Sequence, residues 1–205
     1  MNTSQPDGWV PVEHRFLGLD RRQLRPALFV LVVGLVLIYG FQGLNALIPW
    51  DNPTKAGDVL ALGDGATAVP PVGWQLEDGT LVGDGSGSAD VTLVKGGATI
   101  HLQGAAFTGS ATAFLDQVRR VEERSPAVTG PRASFTTDAG LVGVVETESG
   151  PRGEGLDAAF KLAAGAAADT APALLVEVAA APGEFEQYQD EIGAFLRSIT
   201  PEERA

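Results

Sequence analysis

The sequence contains no cysteine, and this absence removes several kinds of chemistry at once. Disulfide bonds, thiolate nucleophiles, zinc sites with cysteine ligands and attachment through a lipidated cysteine are all excluded. Histidine is nearly as scarce, with two residues in 205. The missing cysteines do not indicate a compartment, because a protein without disulfides can lie on either side of a membrane.

Basic residues are also few, and they are unevenly placed. Residues 51–205 carry 10 Lys or Arg against 23 Asp or Glu, a net charge of −13, whereas residues 1–25 carry four Arg against three acidic residues, a net +1. Affinity for nucleic acid depends largely on neutralising phosphates with Lys and Arg. We therefore expect no nucleic acid partner. No Walker loop or dinucleotide fingerprint occurs either.

Long apolar runs are absent except for one. The stretch from Ala27 to Phe41 has no charge, and its apolar character continues to Ile48. As a helix with a rise of about 1.5 Å per residue, this run is roughly 33 Å long, which matches a hydrocarbon core of about 30 Å. Pro26 suits a first helical turn, and Pro49 follows the run. The pattern predicts one transmembrane helix within residues 26–50.

The charges that flank this run predict its direction. Arg21, Arg22 and Arg25 precede it, whereas Lys55 is the only basic residue close to its other end. The positive-inside rule then places the N-terminus in the cytoplasm. A cleaved signal peptide is the alternative, but its apolar region is typically only about 7–15 residues long. We expect a single-pass protein of the plasma membrane with an extracytoplasmic C-terminal domain.

These features predict five parts of the chain. They are a cytoplasmic tail (1–25), a transmembrane helix (26–50), a stalk (51–56), an extracytoplasmic domain (57–200) and a C-terminal tail (201–205). Within the helix, small and amide side chains share one face at spacings of four, four and three, and such a face can mediate contact with another helix. Its members are Gly34, Ile38, Gln42 and Asn45. The simpler alternative is that the two amides lie near the outer headgroups.

The remainder reads as short strands and two amphipathic helices. Asp78-Gly79 and Lys95-Gly96-Gly97 are typical of hairpin turns. The predicted helices are 110–124 and 184–198. The predicted strands are 59–62, 66–69, 74–77, 80–82, 91–94, 98–103, 133–137, 141–147, 155–163 and 173–180. In 155–163 apolar residues alternate with others, which predicts a strand with one face in water.

Local sequence also resembles a known family. The segment Val72-Gly73-Trp74-Gln75-Leu76, the pair Phe114-Leu115 and the ending Phe195-Leu196-Arg197-Ser198-Ile199 resemble PsbP-like domains, which include actinobacterial anchored proteins and a photosystem extrinsic subunit. The resemblance spans about residues 57–200. It implies an α+β fold, with an antiparallel β-sheet domain and two packed helices after the transmembrane helix. It also implies binding or assembly rather than catalysis, and no site residues or cofactor.

The candidate metal-binding and catalytic residues of the sequence are few. Asp84 to Asp90 resembles the start of a calcium loop, but the twelfth position is Lys95 where a bidentate Glu is needed. His101 is the only histidine after the apolar run, and its strand pattern predicts a solvent-facing side chain. Glu146 and Glu148 share a strand face and are expected to be solvated. We expect no catalytic residue, no metal and no cofactor.

Three functions remain open on these grounds. The first is a membrane-anchored binding or scaffold protein of the cell envelope, with the lipid bilayer and envelope proteins as partners, that assists a larger membrane complex without being an enzyme. The second is a carrier or sensor of an apolar or lipidic ligand held between sheet and helix, which requires an apolar pocket. The third is a hydrolase with an unusual site.

Overall fold

The computed structural model of this chain describes residues 15–16, 19–36, 51–122, 128–150 and 153–201. It divides into two compact units, Met1–Trp50 and Asp51–Ala205. In the first unit, the short antiparallel strands β1 (Arg15–Phe16) and β2 (Leu19–Asp20) precede helix α1 (Arg21–Leu35).

Helix α1 covers only part of the predicted span. It begins at Arg21, so Pro26 lies inside the helix and not in its first turn as predicted. The large apolar side chains between Leu28 and Val36 are each 39–69 % exposed. In the described part of the chain, no helix combines the length and apolar character that a membrane crossing needs. The rest of the predicted span, residues 37–50, lies outside the described residues.

The second unit is an α+β fold with antiparallel sheets and two α-helices in its described residues, as predicted. Its strands are β3 (Leu60–Ala61), β4 (Thr67–Ala68), β5 (Gln75–Asp78), β6 (Thr80–Leu81), β7 (Asp90–Lys95), β8 (Ala98–Ala105), β9 (Val128–Thr136), β10 (Val142–Gly150), β11 (Gly153–Lys161) and β12 (Ala173–Ala180). Its helices are α2 (Ala111–Glu122) and α3 (Phe185–Arg197). The large sheet has the order β5-β7-β8-β12-β11-β10-β9, and a small sheet has the order β4-β3-β6.

The large sheet is covered on both faces, which we call the α3 face and the α2 face. On the α3 face, strand residues such as Ile100, Phe160 and Val176 join a core cluster with α3 and residues of the small sheet. On the α2 face, Ala159 and Leu175 pack against Leu115 of α2. Because alternate residues of a strand point to opposite faces, a strand that lies between α2 and α3, such as β11, has no face left for water.

Because β11 lies between α2 and α3, the prediction that one of its faces is in water is wrong. Asp157, Ala159 and Lys161 were expected to be solvated, but they are only 6 %, 0 % and 2 % exposed. The reason is that α2 lies over their side of the strand. Two charged side chains are thereby buried in the middle of the domain.

One of the two predicted hairpins forms. Lys95 pairs with Ala98 across Gly96 and Gly97, as the sequence predicts. The Asp78-Gly79 hairpin is wrong, because β5 belongs to the large sheet and β6 to the small one. Gly79 has φ 119°, and a Cβ there would lie 3.0 Å from a methyl group of Val91. The chain turns there to change sheets, at a position that has no room for a side chain.

The segment predicted as a stalk is partly packed on the domain. Thr54 is 3 % exposed, and its backbone N–H donates to the carbonyl of Trp74. The N–H of Leu76 donates to the carbonyl of Asn52, so this segment runs along the outer edge of β5. The β5 edge of the large sheet is therefore covered by the chain itself.

Two substitutions in helix α2 test which of its sides is buried against the sheet. Leu115→Ala should lower the free energy of unfolding by about 2–5 kcal/mol, because Leu115 is fully buried and its removal leaves a cavity. Val121→Ala in the same helix should change it by less than about 0.5 kcal/mol, because Val121 is 79 % exposed. Urea unfolding of residues 51–205 measures both, and equal losses would contradict the assignment of the buried face.

Candidate functional site

Helix α3 forms as its spacing predicts. Tyr188, Ile192 and Phe195 recur at intervals of four and three and are at most 6 % exposed. Glu186 lies in the first turn and Arg197 in the last, where each complements the helix dipole. The helix therefore has one face fixed on the sheet, and the neighbouring face becomes the wall of a groove.

A polar and aromatic cluster fixes this helix near the β5 and β7 strands. The indole N–H of Trp74 donates to Glu191 Oε2 at 2.6 Å, and Lys95 Nζ donates to both carboxylate oxygens of Glu191 at 3.0 Å. The ring of Tyr188 meets that of Trp74 edge to face, with centroids 5.5 Å apart. Trp74 itself is fully buried. The bonds from Trp74 and Lys95 hold the pKa of Glu191 below its ordinary value, against the opposing effect of burial.

An apolar groove lies between the other side of α3 and strands β9 to β11. Its volume is about 270 Å³. The groove is lined by Phe135, Val145, Thr147, Leu156, Phe185, Gln189, Asp190, Ile192, Gly193, Leu196 and Arg197. We call it the α3 groove. Gly193 widens it, because a Cβ there would approach only the tip of Arg197, at 3.6 Å.

A second hollow of about 250 Å³ adjoins the α3 groove and shares Thr147 and Phe185 with it. Val128, which lines this hollow, is 71 % exposed. The rims of the two hollows carry the acidic residues Glu154 and Asp190 against one base, Arg197, whereas the carboxylate of Glu148 pairs with Arg119 on the opposite face of the sheet. Together they form an apolar trough with an acidic rim.

The trough ends at an open sheet edge. Strand β9 pairs with β10 on one side, and no other strand in the described part of the chain pairs with it. A bulge near Gly130 interrupts the first part of this strand, and Pro131 lies beside it. Bulges and prolines both commonly protect sheet edges from pairing with another strand. Residues 133–136 of this edge carry no proline, bulge or charged side chain.

On the α2 face, a row of charged side chains crosses five adjacent strands. Direct cross-strand pairs join Arg132 to Glu146, Glu146 to Asp157, Asp157 to Glu177 and Glu177 to His101. Like charges placed directly opposite destabilise a sheet. Here they are offset by Arg132, which contacts Glu146 at 2.7 Å, and by the helical Arg119, which contacts Asp157 at 2.6 Å.

Arg132 and Arg119 tie the row to helix α2. Arg132 also contacts Asp116 of that helix at 2.6 Å, and Arg119 pairs with Glu148. The bonds to Glu146 and Asp116 raise the pKa of Arg132 above its ordinary value. The expectation that Glu146 is solvated is therefore wrong, since it is 6 % exposed. His101 is on the predicted strand face and lies 3.3 Å from Glu177.

The row does not have the shape of a hydrolytic centre. A glycosidase places two carboxylates on facing walls with substrate between them. Glu146, Asp157 and Glu177 instead lie side by side on one sheet, with arginines on the first two and His101 beside the third. Among the described residues, no cluster of His, Asp or Glu has the geometry to hold a metal ion. That statement includes the stretch 84–90, which resembles a calcium loop in sequence.

The residues predicted for helix–helix contact are described only in part. A Cβ at Gly34 of α1 would have no atom within 4 Å, so the space beside it is open. Ile38, Gln42 and Asn45 lie outside the described residues, and the predicted contact stays a prediction. Sequence reasoning did not find the trough. Its signal in the sequence is a row of residues at intervals of four along the amphipathic helix, namely Phe185, Gln189, Gly193 and Arg197.

Comparison with known proteins gives similarity in structure but none in sequence. No protein-family model and no curated protein matches the sequence. The solution structure of cyanobacterial PsbP (CyanoP) from Synechocystis sp. PCC 6803 is similar to this chain with 14 % sequence identity and a TM-score of 0.43. The match covers 67 % of this chain and 87 % of the cyanobacterial one.

The cluster that fixes α3 predicts a pH dependence. Because the folded-state pKa of Glu191 is depressed, its contribution to stability is present above the ordinary carboxyl pKa and is lost as pH falls through the lower folded value. Glu191→Gln should therefore destabilise the domain more at pH 7 than at pH 3. The measurement is urea unfolding across this range. Asp190→Asn, an exposed carboxylate of the same helix beyond its first turn, is the control. A pH-independent loss in Glu191→Gln would contradict the ionic role.

Proposed function

We propose that this chain is a non-enzymatic binding protein of the cell envelope. In this proposal the N-terminal helix holds the acidic domain at the outer surface of the plasma membrane, and the trough beside α3 binds an extended segment of a partner protein. The observation that carries the proposal is the apolar trough that opens onto the unprotected part of β9.

The apolar character of α1 supports the membrane anchor. A helix whose apolar side chains point outward all round fits a membrane or a large protein interior, because water would otherwise surround them. The large side chains from Leu28 to Val36 are all exposed. The three arginines that precede the apolar run favour a cytoplasmic N-terminus.

The open edge of β9 favours an extended protein segment as the occupant. An added strand forms backbone hydrogen bonds with a free edge, while its alternate side chains enter pockets on one face. Side chains of such a strand that share the face of Phe135 would point towards the trough. The acidic rim favours a segment in which apolar residues alternate with Lys or Arg.

Site-specific photo-crosslinking in intact membranes tests the proposal. A photoreactive side chain at Gln189, which lines the α3 groove, should give a discrete protein adduct. The same side chain at Gln187, an exposed residue of the same helix outside the groove, should not. Gly193→Trp should abolish the adduct by filling the groove, and Gly193→Ala should keep it, since a Cβ meets no steric clash there.

The outcomes separate the two binding hypotheses. Equal yields from positions 189 and 187 would contradict a specific groove. An adduct with a lipid in place of a protein would support the apolar-ligand hypothesis. The groove volume of about 270 Å³ suits part of an acyl chain, but it lies just below the roughly 300–1,000 Å³ typical of pockets for drug-sized ligands.

Protease treatment of intact spheroplasts tests the orientation. A protease added outside should cleave within residues 51–205 and leave an N-terminal tag on the chain protected, because the arginines before α1 favour retention in the cytoplasm. Detergent lysis is the control that exposes both parts. Protection of residues 51–205 in intact cells would overturn the proposed location.

A further inference from the structure

A third hollow, of about 390 Å³, lies on the α2 face of the sheet and is distinct from the trough. We call it the Lys161 cavity. Its walls come from the start of α2, from strands β9 and β10, from the end of β11 and from the 3-10 helix Gly165–Thr170. Most of its side chains are small or apolar, among them Ala111, Val142, Val144 and Ala168.

Lys161 is the unusual residue of this wall. Its side chain is 2 % exposed, and its ammonium donates one hydrogen bond, at 2.5 Å, to the carbonyl of Phe107. The Nζ atom lies 5.4 Å from the centre of the Phe107 ring. In the described part of the chain, no carboxylate lies within ion-pair distance of it. Burial lowers the pKa of Lys161, and the negative charge of Asp169 opposes this effect.

The other charges around the cavity are already paired or exposed. Arg132 lines the cavity, but its guanidinium is held by Glu146 and Asp116. Asp169 also lines it, on an exposed turn. A buried ammonium is costly unless a counter-charge and further hydrogen bonds compensate it. Lys161 has two N–H groups left and an apolar space beside it.

From this arrangement we propose that the Lys161 cavity binds a small monocarboxylate with a short alkyl body. The carboxylate pairs with the Lys161 ammonium, as a charge-assisted hydrogen bond requires. The alkyl body contacts the alanine and valine walls. The backbone N–H groups of Ala111 and Thr112, in the first turn of α2, have no helical acceptor and add donors to the same wall.

The scarcity of lysine makes a direct test possible. The chain has three lysines, Lys55, Lys95 and Lys161, so a protein labelled with ¹³C-lysine gives few Hε–Cε signals, and single Lys→Met variants assign them. Hexanoate added to the full chain in detergent micelles should move the Lys161 signal in a saturable way and leave the Lys55 signal unchanged. Hexanamide, the neutral analogue, should bind at least about tenfold more weakly, because it offers no charge to the ammonium.

Two lysine variants show whether hexanoate binds at Lys161. Lys161→Met should weaken hexanoate binding by about tenfold or more, measured by calorimetry, while the exposed Lys55→Met leaves it unchanged. Lys161→Met is expected to fold, since replacing a buried charge with an apolar side chain of similar volume is often neutral or stabilising. Equal binding of hexanoate and hexanamide, or a Lys161 signal that does not move, would overturn the proposal. Since the trough lies on the opposite face, failure of either site leaves the other untouched.

Discussion

Burial of strand β11 on both faces is the constraint on which the rest of the domain depends. Phe160 points into the core beneath α3, while Ala159, its neighbour in sequence, is equally buried beneath α2. A strand buried in this way needs an element over each side, and two amphipathic helices supply them. It also forces Asp157 and Lys161 out of water, so the charges on these side chains must be compensated by neighbours.

The trough follows from the widths of these elements. A helix with its side chains is about 10–12 Å across, and strands lie about 4.8 Å apart, so one helix covers two or three strands of a sheet. Glu191 bonds to Trp74 and Lys95, which fixes α3 towards the β5 and β7 side. The small sheet adds cover from Leu60 and Ala68. At the opposite side, β9 and β10 extend beyond the helix, and Phe135 and Val145 face a groove.

The order and type of the elements could be predicted because each carries its own period. The spacing of Tyr188, Ile192 and Phe195 predicts α3. The Gly96-Gly97 turn predicts the hairpin of β7 and β8. The sequence does not show which face of a helix packs on which face of the sheet. Asp157 and Lys161 read as a wet strand face because their cover comes from α2, more than 30 residues earlier in the chain. Gly79 reads as a hairpin turn because local sequence does not say which sheet the next strand joins.

The same limit explains why neither site could be predicted. The α3 groove is made by a residue with no side chain, Gly193, and the Lys161 cavity by a lysine that looks like any surface lysine in its alternating strand. Chemistry-bearing motifs are visible in sequence only when their residues are neighbours along the chain or follow a fixed spacing.

All three hollows of the domain described above share strands β9 and β10. Phe135 and Val145 line the groove, Val128 and Thr147 the adjoining hollow, and Arg132 and Val142 the Lys161 cavity. Because alternate residues point to opposite faces, one pair of strands forms walls on both sides of the sheet. Gly143 of β10 packs closely on the neighbouring strand β11, since a Cβ there would lie 2.4 Å from the Phe160 ring. The trough and the Lys161 cavity thus share a backbone but no lining residue, so a substitution in one can leave the other unchanged.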